Sequence, residues 1–332
     1  MTTIQEVAKR AGVSSATVSR VLNGNSRVSP ANRDRVQAAV AELAYRPNRV
    51  ARSLRRQQTE TIGIVVSDIE NPHFTQAVRA IEDAAYSRGF RVLLCNTDET
   101  LQKQQDYLGI LEAERVSGVI LAPADPDDQA ISQVLDFNMP VVAFDRRVGD
   151  ARASSVTADN VKAVHLATRH LIDLGHRHIG FIGGMPRIQT GADRLRGYTE
   201  TMESAGLTPL ATSGDFRLGV AEAATEQLLQ EHPELTALVI ANNLMTIGAL
   251  RSIRARGLRV PDDLALVSID DPFWAELVDP PLTTLAQPVR TMATTAVELL
   301  TDRMREPDSE VRHMVFPFEL RVRQSCGMKQ HE

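Results

Sequence analysis

The sequence predicts an α/β protein with a small helical head, a short basic helix behind it, and a body of two lobes built on parallel sheets. Three observations predict this. Residues 3–22 read as two short helices broken at one glycine. From Thr61 onward short apolar runs alternate with helical stretches, and the alternation comes in two successive series. Charge is also segregated: residues 1–60 hold 11 Lys or Arg against 4 Asp or Glu, a net +7, which leaves −12 for the rest of a chain totalling −5. A basic end on an acidic body fits a head that binds phosphates and a body kept away from them.

The 332 residues exceed one typical domain, and a 43% hydrophobic share is ample for a sizeable core. The 2 cysteines, Cys95 and Cys326, exclude a disulfide framework and a Cys-rich zinc site. No signal peptide and no eighteen-residue apolar run is evident, so a cytoplasmic location is expected.

In the head, Thr3 and Glu6 have capping-box spacing, which starts a helix running to about Ala11. Gly12 can take a positive φ at the turn, Val13 plugs the corner, and Ser14 caps a second helix from Ser15 to Leu22. Ala8, Ala11, Val13, Val18 and Leu22 form the expected seam. The opposite face, with Ser15, Ala16, Thr17, Ser19 and Arg20, is small or polar, as a helix entering a major groove requires. Arg20 is the residue type that forks onto guanine O6 and N7. Asn23-Gly24-Asn25 is a turn. Ser29-Pro30 then opens a third helix to about Ala44, whose Val36, Ala39, Val40 and Leu43 close a three-helix head.

Pro47 stops that helix and Asn48 can cap the next, NRVARSLRRQQ, which is too short to be stable alone. One reading is a linker. The other is a hinge helix that forms on DNA, with Leu54 as an apolar wedge in the minor groove. The expected divisions are a helix-turn-helix head at 1–46, hinge and linker at 47–59, and a ligand-binding and dimerisation body at 60–332. Its first lobe takes about 60–159 and 290–320, its second about 160–289 and the tail.

TIQEVAKRAGVSSATVSRVLNG, YRPNRVARSL and TIGIVV resemble the head, hinge and first body strand of the LacI/GalR family of bacterial transcriptional repressors, in that order and spacing. The resemblance continues through NPHF, LGHRHIGFIGG, RLRGY, IANN and PPLTTLAQP. It implies a periplasmic-binding-protein-like body and a non-enzymatic repressor that binds near-palindromic operator DNA as a homodimer, or as a tetramer. It places Ser15, Ala16 and Arg20 at base-reading positions and Leu54 at the intercalating one. Thr3, Ser14, Thr17, Asn23, Asn48, Arg49 and Arg55 complete the candidate DNA contacts. In the body it matches Asp145, Arg194, Asn242 and Asp270 to effector contacts. Asn243 departs from the family, which commonly has Asp there.

Along the body, the first series has strands at 62–66, 91–95, 118–121 and 141–144, with helices at 74–88, 101–115 and 127–138. The second series has strands at 179–182, near 213–216, at 237–241 and at 264–269. Its helices end at Leu174, Ala205, Gln230 and Arg256. A last helix near 289–304 and a strand near 313–316 return to the first lobe.

In open parallel sheets ligands sit beyond the carboxyl ends of strands. Those ends carry Asp68, Asn71, His73 and Phe74, then Asn96, Thr97 and Asp98, then Asp145 and Arg146 in the first lobe. In the second they carry Arg194, Phe216, Asn242 and Asp270, with Trp274 nearby. Carboxylates, amides and Arg suit hydroxyl groups and aromatic faces suit C–H surfaces, so a sugar-like effector is expected, either neutral or a sugar acid. The candidate contacts are Asn71, Phe74, Asp98, Asp145, Arg146, Arg194, Phe216, Asn242, Asp270 and Trp274. Strand-end Asp68, Asn96 and Asp159 serve equally well as caps. His176 and His178 lack a third metal ligand at suitable spacing, no glycine pattern of a dinucleotide site follows strand one, and no cofactor is implied. A solute-binding protein or sugar enzyme on the same body is the competing class, but the basic head would serve neither.

Overall fold

The computed structural model describes residues 2–22, 28–45 and 59–327. The chain divides into two compact units, Met1–Thr59 and Glu60–Glu332.

The first unit holds α1 (Ile4–Ala11), α2 (Ser15–Leu22) and α3 (Pro30–Glu42). The capping box closes: the Glu6 amide donates to Thr3 Oγ1 at 3.3 Å and the Thr3 amide to Glu6 Oε2 at 2.7 Å. Gly12 ends α1 at φ 64°, and the Thr17 amide donates to Ser14 Oγ at 3.2 Å, which caps α2. The core differs from the expected seam. Val7, Ala8, Ala11, Val18, Val21, Val36 and Ala39 are buried, whereas Val13 and Leu22 only pack against it. Val7 and Val21 join that core, and helix period alone did not separate them from their neighbours. Helix α3 stops at Glu42, where Ala44 turns to φ 45°.

The second unit holds two six-stranded sheets. In chain order the first lobe has β1 (Thr61–Val66), α4 (Pro72–Ser87), β2 (Arg91–Asn96), α5 (Leu101–Ala113), β3 (Val119–Leu121), α6 (Gln129–Asp136), β4 (Val141–Asp145) and β5 (Ser154–Ala158). The second has α7 (Asn160–Asp173), β6 (Ile179–Gly183), α8 (Gln189–Ser204), β7 (Leu210–Ser213), α9 (Leu218–Glu231), β8 (Ala237–Ile240), α10 (Asn243–Ala255), β9 (Ala265–Ile269) and β10 (Thr283–Ala286). Then α11 (Val289–Arg305) and β11 (His313–Phe316) return to the first lobe and β12 (Glu319–Arg321) to the second. The chain therefore crosses between lobes three times, after β5, after β10 and after β11.

The sheet orders are β11-β5-β4-β3-β1-β2 and β12-β10-β9-β8-β6-β7, parallel throughout except that β12 runs antiparallel to β10. In each lobe the order reverses at the first strand, β1 or β6, which opens a crevice at the carboxyl ends. Buried apolar residues fill both faces of the first sheet and a single larger cluster forms the core of the second lobe. None of the described helices is long and apolar enough to cross a membrane.

Two expectations need correction. The strand placed near 213–216 lies at Leu210–Ser213, and the chain then enters a tight turn in which Asp215 and Phe216 adopt φ 52° and 58°. Strands β5, β10 and β12 were not anticipated. Hydroxyl-rich SSVTA and TTLA carry little apolar signal, yet they are buried because their hydroxyls are bonded: Ser155 Oγ to His313 Nδ1 at 2.8 Å and Thr284 Oγ1 to Asp271 Oδ1 at 2.7 Å.

Candidate functional site

A cleft lined by side chains of both lobes opens between the carboxyl ends of the two sheets, where open parallel sheets bind ligands. The first lobe contributes Asp68, Asn71, His73, Phe74, Glu99, Asp145 and Arg146; the second contributes Thr190, Arg194, Phe216, Arg217, Asn242 and Asp270, and Gln287 comes from the crossing after β10. Six of the nine described non-glycine residues at positive φ lie at these strand ends: Asp98, Glu99, Asp145, Asp215, Phe216 and Asp270. Left-handed backbone costs an L-residue energy and clusters where side chains are aimed for a purpose.

The second-lobe loop explains how Phe216 is held. A Cβ on Gly184 would lie 2.0 Å from Phe216 Cζ, so only glycine leaves room for the ring. Three strand-end residues cap the helices that follow. Asn71 Oδ1 accepts from the His73 amide at 2.9 Å, Asn242 Oδ1 from the Met245 amide at 2.7 Å, and Asp159 Oδ1 from the Lys162 amide at 3.1 Å. Asn71 and Asn242 also face the cleft, and the Asn242 Nδ2 is buried without a partner.

Most cleft charges are already paired within the chain. Arg146 grips Glu99 at 2.7 and 2.5 Å and donates to the Pro123 carbonyl at 2.9 Å. Arg217 of the second lobe reaches Asp68 of the first at 3.1 Å. Arg194 donates from Nε to Asn160 Oδ1 at 2.7 Å and from Nη1 to the Ala241 carbonyl at 2.5 Å, contacts that leave its Nη2 unused. Asp270 accepts from Gln287 Nε2 at 2.8 Å and Asn243 Nδ2 at 3.2 Å, and the same Asn243 amide donates across the lobes to Asn71 at 3.0 Å. His73 Nε2 lies 3.4 Å from Asp145 Oδ1.

These pairings set the proton affinities. Burial alone would raise the Asp145 carboxyl, but the adjacent His73 imidazole and the charges of Arg146 and Arg194 hold it below the usual carboxylate range. Burial likewise opposes a charged His73, yet Asp145 and Asp270 outweigh it and raise its pKa. Burial pushes the Asp68 carboxyl up despite Arg217, and it lowers the Arg194 guanidinium despite Asp270 and Asp145.

Of the expected effector contacts, Asn71, Phe74, Asp145, Arg146, Arg194, Phe216, Asn242 and Asp270 line the cleft. Asp98 and Trp274 do not. The Asp98 carboxylate turns to Lys103 and to Asn96, and Trp274 packs partly buried against the second-lobe core. Asp68 and His73 were visible at a strand end but not selected; Glu99, Thr190, Arg217 and Gln287 were missed. Glu99 and Arg217 sit one residue beyond a selected neighbour; of the first pair only Glu99 faces the cleft, and of the second both Phe216 and Arg217 do.

Residues 3–48 match the model of the bacterial regulatory proteins of the lacI family, and residues 168–326 that of a periplasmic binding protein-like domain. The chain is 35% identical to the ribose operon repressor of Halalkalibacterium halodurans, over 98% of this chain and 97% of that protein. It belongs to the LacI family. The chain is also 36% identical to the HTH-type transcriptional repressor PurR of Aliivibrio fischeri, over 98% and 99% of the two chains. The crystal structure of the lac repressor dimer bound to operator and the anti-inducer ONPF superimposes with a TM-score of 0.87 at 32% identity, covering 98% of this chain and 99% of that one. As a LacI-family member the protein is a DNA-binding transcriptional regulator and not an enzyme.

Within the LacI-family head, Ser14, Ala16 and Arg20 are exposed, while Ser15 and Thr17 are half-buried. Ala16 and Arg20 stand one turn apart on the same face of α2. Thr3 is committed to capping α1 and Ser14 Oγ lies 3.0 Å from Thr17 Oγ1, so both hydroxyls already have local work. Asn23, Asn48, Arg49, Leu54 and Arg55 lie outside the described residues.

Proposed function

We propose that this LacI-family protein is a cytoplasmic repressor of genes for carbohydrate uptake or breakdown, acting as a dimer on a near-palindromic operator and governed by a small neutral sugar held between its lobes. Ser15, Ala16 and Arg20 read bases, Thr3, Ser14, Thr17, Asn23, Asn48, Arg49 and Arg55 support the docked head, and Leu54 wedges into the minor groove. The divisions at 1–46, 47–59 and 60–332 match these roles. The dimer is supported by apolar side chains left on the surface of each lobe. Leu93 and Leu94 on the edge strand β2 are 40% and 45% exposed, and Phe273 and Leu277 of the second lobe are 79% and 77% exposed.

The observation that carries the effector reading is the self-pairing of the cleft cations. The charges of Arg146 and Arg217 are paired with Glu99 and Asp68, and the remaining Arg194 faces two carboxylates, Asp145 and Asp270. An anionic ligand would meet no spare positive charge. Hydroxyl groups can donate to Asp145 and Asp270 and accept from Arg194 and the open Asn242 amide, while Phe74 and Phe216 cover C–H faces. That the name of one relative is ribose operon repressor agrees with this class. A thermal-shift panel tests it. Neutral pentoses, hexoses or disaccharides such as ribose and cellobiose should stabilise the full chain in proportion to occupancy, and the matching sugar acids should not. Stabilisation by the acids alone would overturn the neutral-ligand reading.

A further inference from the structure

We infer that the proton is a second effector of this body: His73 binds it between the two lobes, and its uptake favours their closed arrangement. His73 stands in the first turn of α4 on the first lobe and is 6% exposed. Its Nε2 faces Asp145 Oδ1 of its own lobe at 3.4 Å, and its Nδ1 faces Asp270 Oδ1 of the other lobe at 3.9 Å. A neutral imidazole has one N–H and one acceptor nitrogen, so it can serve only one carboxylate as a donor. The imidazolium carries a proton on both nitrogens, so with the lobes closed it faces Asp145 with one N–H and brings its charge within 3.9 Å of Asp270 with the other.

The other surroundings of His73 do not cancel this. Phe74 packs edge-on at 5.1 Å and Phe144 stacks at 6.4 Å, so two walls carry no charge. Gln287 Nε2, a donor, lies 3.4 Å from Nδ1 while its Oε1 is buried and unbonded, so proton uptake at Nδ1 is accompanied by a turn of that amide that presents Oε1 to the ring. Among the described residues Arg194 is the cation that opposes protonation, and its influence is smaller than that of Asp145 or Asp270. The raised pKa of His73 has the sign this geometry requires. A group raised in the closed form contributes fully below its ordinary value, and the contribution is lost as pH rises through the raised one. Opening the cleft removes Asp270 but leaves Asp145, so the gain from Asp270 belongs to the closed arrangement alone. Each unit of difference between the open and closed pKa changes the closed-to-open ratio about tenfold.

The inference rests on reading the two lobes as a pair that closes, but it needs no sugar for its test. Full-length protein with labelled histidine rings is titrated by NMR from about pH 5.5 to about 8.5, around the ordinary imidazole value of about 6.5. Its radius of gyration is followed by X-ray scattering over the same range, and His73→Gln identifies the resonance. The His73 signals should titrate above the ordinary value, the radius should grow as pH rises through that midpoint, and His73→Gln should show no such growth. Asp270→Asn, nearly isosteric, should lower the His73 midpoint even where His73→Gln folds poorly. A parent whose radius is constant, a His73→Gln protein with the same transition, or an unmoved midpoint in Asp270→Asn would overturn the inference. A radius constant with pH that still contracts with ribose or another sugar would refute the proton latch and leave the effector reading standing.

Discussion

Replacing Gly184 with Ala tests whether the second-lobe loop exists to aim Phe216 into the cleft. The added Cβ would lie 2.0, 2.2 and 2.5 Å from Phe216 Cζ, Cε1 and Cε2, whereas carbon atoms in contact rest about 3.5–4.0 Å apart. The ring must therefore retreat by about 1.5 Å. Its backbone is already left-handed at φ 58°, so the chain has little room to rotate and the side chain must swing away from residue 184. Overpacking of this kind costs about 1–3 kcal/mol. Where the strain is relieved by moving the ring, the same amount is lost from ligand stacking, about a 5- to 150-fold weaker effector. Titration calorimetry with the sugar found by the thermal-shift panel, beside urea unfolding of the same protein, separates the two. The expected result is weakened effector binding with ligand-free operator binding unchanged. Effector affinity within twofold of the parent would show that the Gly184–Phe216 contact does not shape the site.

Two further substitutions probe other parts of the account. Arg20→Ala should cost about 1–3 kcal/mol on the proper operator and relax preference at one base pair; an equal loss on random DNA in a retardation assay would reassign Arg20 to the phosphate backbone. Tyr198 is fully buried, donates to the Ile179 carbonyl at 2.6 Å and accepts from the Leu210 amide at 2.8 Å, and burial pushes its phenol up to about 12. Tyr198→Phe orphans two backbone groups at the start of β6 and β7, so urea unfolding should show a loss of about 1–3 kcal/mol, and a loss below about 0.5 kcal/mol would mean that water replaces the hydroxyl.

Much of this was legible in the sequence because it is local. The Thr3–Glu6 box, Gly12 and the Ser14 cap are decided within a few residues, and each formed as read. The long apolar strands Thr61–Val66 and Ala265–Ile269 declare themselves by composition. What failed depended on distant partners. SSVTA and TTLA became buried strands only because His313 and Asp271 satisfy their hydroxyls. At the site, spacing could place a residue at a strand end but not say which way it faced. Asp98 and Glu99 are adjacent and both left-handed, yet Glu99 turns inward to Arg146 and Asp98 outward to Lys103. The ion pairs that neutralise the cleft join residues far apart in the chain, such as Asp68 with Arg217, and so could not be read from any one stretch.

The central claim is that a ligand in the inter-lobe cleft changes the affinity of the head for DNA. The most direct measurement is an operator titration, with and without the sugar found by the thermal-shift panel, on the parent chain and on Arg194→Ala and Asp270→Ala. A ligand moves an equilibrium only by its different affinity for the two states. The account predicts that saturating sugar shifts parent operator affinity by about 5- to 150-fold. Arg194→Ala should bind the operator like the parent when no sugar is present, and neither variant should respond when it is added. A full response in either variant at the same sugar concentration would contradict the claim that this cleft is the regulatory site.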